Sequence, residues 1–132
     1  MEKILFSPSE RIKALERSKF RTKFNLDQND QAYVARIGLS QIKAHAYDFI
    51  QKRLAPAEPK NDGKQTPFKG HPVFKAQHAT ATCCRGCLNQ WYHIEKGRQL
   101  TTSEMDMIVG TLITWIENKL HDRINEYPKK SG

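Results

Sequence analysis

Six cysteine and histidine side chains, able to bind a metal or act as nucleophile or base, fall within residues 71–93: His71, His78, Cys83, Cys84, Cys87 and His93. Thiolate and imidazole are the donors that hold zinc in tetrahedral protein sites. Cys84-Arg85-Gly86-Cys87 is a Cys-x-x-Cys pair, a spacing that turns two sulfurs toward one point on a turn or a helix. His78 lies six residues before Cys84, and His93 six after Cys87. The expected site is a zinc ion held by His71, His78, Cys84 and Cys87, with His93 or Cys83 as the alternative fourth ligand. The histidines flank the cysteines instead of following them as a pair, so the pattern is not that of a zinc finger. Four protein ligands would make the ion structural, and three plus a water would make it catalytic. The ordinary alternative is that the cysteines pack as small apolar groups.

The same residues allow thiol chemistry. A cysteine beside Arg85 and near a helix start would have its thiolate stabilised. His71 or His78 could serve as base, and the Cys-x-x-Cys pair could cycle as a dithiol. No thioredoxin-like alternation of strands and helices accompanies it. An enzyme of either kind would hold its substrate with Gln65, Thr66, Gln77 and Thr82, which cluster in sequence where a site needs polar donors. Gly63-Lys64-Gln65-Thr66 has the look of a phosphate-loop ending, but the earlier glycine and the preceding strand are missing. Asp48, Asp62 and Glu95 are isolated, which argues against a two-metal nuclease.

Charge suggests a partner. The chain has 132 residues and a formal net charge of +8. Residues 1–100 hold 18 Lys/Arg against 9 Asp/Glu, whereas residues 101–127 hold 2 against 5. Arg11, Lys13, Arg17, Lys19, Arg21 and Lys23 crowd one segment. A field of this kind attracts polyanions, nucleic acid first among them. Lys64, Lys69, Arg85 and Arg98 are the expected phosphate contacts near the Cys/His segment. The competing description is a solvated basic surface, or a protein-interaction module in which the cluster is only a staple.

The elements that must position these groups follow from periodicity and caps. With 38% hydrophobic and 27% charged residues, the composition fits one globular domain. No apolar run approaches the roughly 20 residues of a membrane-spanning helix. Met1–Phe6 is too short and charged for a signal-peptide core. Three close-set cysteines fit reduced thiols better than a disulfide framework. A cytoplasmic protein without membrane contact is expected.

The expected fold is all-α: a single domain over residues 1–127, about five helices, and one long ordered loop at 55–75 leading into the Cys/His segment 76–98. Ser7-Pro8-Ser9-Glu10 reads as a helix start, with Ile12, Leu15 and Lys19 or Phe20 inward. Asp27 caps a helix ending at Gly38, with Ala32, Ala35 and Val34 or Ile37 inward. Ile42, Ala46, Phe49, Ile50 and Leu54 trace the stripe of a third helix, ended by Pro56 and Pro59. Ala76–Ile94 is helix-compatible, with Leu88 and Trp91 as anchors. Its small residues Ala79–Thr82 admit a close neighbour, and Gly97 stops it. Thr101 and Glu104 form a capping box for the last helix, which runs to about Asn125 on Met105, Ile108, Leu112, Ile113, Trp115, Ile116 and Leu120. Residues 128–132 read as a flexible tail.

Four segments carry a resemblance: Arg53-Leu54-Ala55-Pro56-Ala57, Asn61-Asp62-Gly63-Lys64-Gln65-Thr66-Pro67, Gly70-His71-Pro72-Val73-Phe74, and Ala76 through Cys87. In these the chain resembles a small bacterial and phage family of unknown function, over about Arg17 to Leu120. The resemblance implies a compact single-domain bacterial protein and no particular activity, cofactor or partner. One departure is Trp91-Tyr92, where the family pattern has Trp-His. It weakens His93 as a ligand and favours His71 and His78.

Overall fold

The structure, a computed structural model, describes residues 8–131. Among them the chain is all-α, as expected. The elements are α1 (Pro8–Leu15), α2 (Lys19–Thr22), α3 (Gln28–Ile37), α4 (Leu39–Phe49) with a π-helical turn (Ile50–Leu54), α5 (Pro72–Ala79), α6 (Arg85–Tyr92) and α7 (Thr102–Ser131). The cap expected at Ser7 lies outside the described residues. Among those residues no helix is long and apolar enough to cross a membrane.

Local chemistry sets most boundaries. Asp27 caps α3 by accepting from the Asp30 N–H at 2.8 Å, and Asp30 accepts from the Asp27 N–H at 3.0 Å. Gly38, at φ +87, ends α3 and opens α4 in a backbone region that side-chain-bearing residues avoid. The inner face of α3 is Asp30 and Val34 with Tyr33 and Ile37 partly covered. Ala32 and Ala35, expected inward, are exposed. Asp30 turns in because Lys75 reaches it at 2.5 Å, and that phase turns the alanines out.

Ile42, Ala46, Ile50 and Leu54 are fully buried. A constant spacing of four drifts by about 40° per step around a helix of 3.6 residues per turn. The wider π turn offsets that drift, with the Ala55 N–H bonding to the Ile50 carbonyl at 2.8 Å. Opposite this stripe lies α7, which buries Ile108, Val109, Leu112, Trp115 and Ile116 and packs on α1, α4 and α5. The Thr101–Glu104 capping box forms as expected. The helix continues past Asn125, to Ser131.

Two breaks decide where the functional groups lie. The first separates α1 from α2: the Ser18 hydroxyl accepts from the Arg21 N–H and starts a new short helix. Its phase turns Arg21 inward and leaves Phe20, expected inward, 44% exposed. The second splits residues 76–94 into α5 and α6. Ala81 adopts φ +61, and Cys84 is extended at the cap of α6. The residues between are packed inside: Gln77 donates to the Thr82 carbonyl at 3.0 Å, and the Tyr92 hydroxyl donates to the Thr80 carbonyl.

Arg85, the first residue of α6, is fully buried. Its Nη1 donates to the carbonyls of Leu54 (3.3 Å) and Pro56 (2.8 Å), and its Nη2 to those of Glu95 (3.0 Å) and Arg98 (2.8 Å). Its own N–H bonds to Asp62 Oδ1 at 2.9 Å. Burial pulls the guanidinium pKa below the ordinary arginine range, against the pull of Asp62. Two chain segments thus meet on one side chain, and a third, through Asp62, on the backbone of the same residue. Replacing it would leave buried carbonyls unsatisfied, at about 1–3 kcal/mol each. The expected outcome for Arg85→Ala is a loss of at least about 3 kcal/mol, read as a fall in the urea midpoint.

Candidate metal centre

The start of α6 gathers the sulfurs. Cys83 closes the buried loop, its carbonyl accepting from the Thr66 hydroxyl at 2.8 Å. Cys84 caps the helix, its Sγ accepting from the Cys87 N–H at 3.4 Å. Cys87 lies in the first turn. The three Sγ atoms lie within 4.8 Å of one another, and Cys83 Sγ is 3.6 Å from Cys87 Sγ. Cys83 is buried, and the other two are half-buried. Such a group could hold a metal ion.

Arg21 reaches the cluster from α2. Its Nη2 donates to Cys87 Sγ at 3.2 Å and its Nη1 to the His78 carbonyl at 2.5 Å, while its guanidinium lies 5.7 Å from the Trp91 ring. Trp91 is half-buried and packs on this arginine, while Leu88 alone of the expected pair is fully buried. Hydrogen bonds from the Cys83 and Cys84 thiols, then from Arg21, hold the Cys87 thiol well below the usual range. Cys83 is pushed up by the same thiol contacts and by burial. Of these two thiols, Cys87 is the one whose surroundings favour the anion.

Among the described residues the group within mutual ligand reach is Cys83, Cys84 and Cys87 and includes no imidazole, so the expected quartet of His71, His78, Cys84 and Cys87 is not brought together. His71 is the cap of α5: its Nδ1 accepts from the Val73 N–H at 3.0 Å, and its Nε2 faces His45 Nδ1 at 3.1 Å. Tyr33, Phe49 and Phe74 surround the ring. Both His71 nitrogens are therefore engaged away from the sulfurs. His78 Nε2 bonds to the Thr66 carbonyl at 3.0 Å, and its ring stacks on Phe24 and Phe68. His93 is exposed at φ +59, where α6 ends. Cys83, the alternative fourth ligand, is the residue that the fold brings to Cys84 and Cys87.

The expected ligand-binding residues also divide. Thr66, Gln77 and Thr82 are buried and bond within the fold. Gln65 closes its own loop on Gly63 and Asp62. Arg85 is sealed among carbonyls and cannot meet a phosphate. Arg98 forks onto both oxygens of Glu104, at 2.9 and 2.7 Å, and contacts Glu95 at 3.2 Å. That bidentate pair lowers the Glu104 pKa to about 2 and occupies the guanidinium. Lys64 and Lys69 are exposed, as a phosphate contact requires.

Sequence reading missed Arg21 because it sits in a run of exposed cations. Ser18, three residues before it, was the available signal of a new helix and a new phase.

The fold and cluster define a small all-α domain with a three-sulfur centre. The chain belongs to DUF4186, a family described as a domain of unknown function, whose model matches residues 9–117. No solved structure matches it.

Burial, then neighbouring His45, lowers the His71 pKa to about 4 from an ordinary 6.5. The neutral ring is the folded form, so its stabilisation is complete above about pH 6.5 and is lost as pH falls through about 4. His71→Asn keeps a cap but removes the titration. Urea midpoints taken from about pH 7 down to 4 should fall more steeply for the native chain than for this variant.

Proposed function

We propose that this domain is a zinc-binding helical module that associates with nucleic acid, with Cys83, Cys84 and Cys87 as ligands. The observation that carries the metal reading is the mutual approach of three sulfurs within 4.8 Å. Zinc–sulfur bonds of about 2.3 Å place the sulfurs of a tetrahedral site about 3.8 Å apart. The Cys83–Cys87 separation of 3.6 Å is close to that edge. Three thiolates and a divalent ion carry one net negative charge, which Arg21 balances. The bond from the Cys87 N–H to Cys84 Sγ and the Arg21 contact supply the outer support that orients ligands. The nucleic-acid part is supported by segregated charge. Among the described residues no carboxylate pairs with Arg17, Lys19, Lys23, Lys64 or Lys69, all of them exposed.

Metal analysis of protein purified without added ions should find about one zinc per chain, as a single site requires. Cys84→Ser should lower the content, and a chelator should lower the native protein's melting temperature. A native chain that purifies without metal, with a melt unmoved by zinc or chelator, would sink the metal reading. Polyanion retention that does not weaken with salt would remove the nucleic-acid part.

The Arg21–Cys87 contact favours one second reading, a thiol enzyme with Cys87 as nucleophile. In that case iodoacetamide should modify Cys87 of the metal-free protein first, and Arg21→Met should slow the reaction. Equal modification of all three cysteines speaks against it.

A further inference from the structure

We infer that the exposed ring of Phe68 is a stacking platform for a base of single-stranded nucleic acid. The inference rests on the nucleic-acid reading above and adds the strand form and the contact. Three rings stand nearly parallel beside the sulfur cluster. Phe68 stacks on His78 at 4.3 Å and 13°, His78 on Phe24 at 5.3 Å and 15°, and Phe24 is 9° from parallel with Phe68 at 6.3 Å. Phe24 is half-buried and His78 buried. Phe68 is 61% exposed, the higher of the two exposed large apolar side chains among the described residues. Phe68 packs against the His78 ring and leaves most of its own surface open to solvent.

A fixed aromatic face with cations beside it is how proteins hold unpaired bases. Here the ring is fixed from beneath: Arg21 grips the His78 carbonyl, and His78 grips the Thr66 carbonyl, two residues before Phe68. The cations are present too. Phe20, 44% exposed, sets its edge against Phe24 at 5.3 Å, and Lys23 Nζ lies 5.3 Å from its ring. Lys19 and Lys23 flank Phe20 on and beside α2, and Lys69 follows Phe68 in sequence. Among the described residues none of the three lysines has a carboxylate partner. Charge decides the occupant: an apolar peptide would gain nothing from these lysines, whereas a strand with one phosphate per base gains from both ring and charge. A duplex keeps its bases paired and stacked and offers no free face to Phe68.

The test is fluorescence anisotropy with a labelled single strand of about 16 nucleotides and with the same sequence as duplex. The single strand should bind more tightly, and affinity should fall linearly with salt on logarithmic axes. Phe68→Ala should weaken single-strand binding by roughly tenfold or more. Phe68→Trp should restore it, since indole also stacks. Zinc content and the thermal melt should not change in either variant, because the ring is largely outside the core. Equal binding of both forms, indifferent to Phe68→Ala, overturns the stacking inference while the charge-based association stands. No salt-dependent binding of either form overturns both.

Discussion

A single buried guanidinium organises the domain. Among the described residues no carboxylate lies against the Arg85 fork. Four carbonyl dipoles from two segments of the chain surround it instead: Leu54 and Pro56 at and just after the end of the π turn, and Glu95 and Arg98 in the segment leading to α7. Only a planar fork can address that many acceptors from one point, so lysine is not an equivalent. Asp62 completes the arrangement by holding the Arg85 backbone N–H, which ties the long loop to the same spot. The start of α6, and with it the direction of Cys84 and Cys87, is therefore set by the hydrogen-bonding needs of a charge that water cannot reach.

A second arginine sets the electrostatics. Arg21 arrives from a four-residue helix whose phase turns it inward. It places a positive charge beside Cys87, where two thiols already favour the anion. A cluster with this neighbour is prepared for negative sulfur, whether the partner is a metal ion or an electrophile. The two arginines divide the work: one orients the backbone beneath the sulfurs, and the other balances their charge.

Much of this was legible in the sequence, and the reasons differ by residue. Asp27, Gly38 and the Thr101–Glu104 pair act through neighbours a few positions away, and local rules read them correctly. The Ile42–Leu54 stripe was visible too, although its spacing of four hid a turn wider than an α-helix. Arg85 and Arg98 looked like surface cations because type alone says nothing about burial. Their partners are 10 to 31 residues away for Arg85 and a nearby carboxylate for Arg98. His71 looked like a ligand, but an imidazole can cap a helix as aspartate does. The segment 76–94 looked like one helix because small residues tolerate helix and turn equally. Its break, which creates the cluster, depends on the positive φ at Ala81 and on tertiary bonds from Gln77 and Tyr92.

Cys84 has two duties, and they cannot be separated. Its sulfur receives the Cys87 N–H and so closes the first turn of α6, while the same atom faces the other two thiols. Any event that changes the electron density on that sulfur alters how strongly it accepts the amide proton. The state of the cluster and the integrity of the α6 entry are thereby linked, and the helix reports mechanically on the chemical state of its own capping residue.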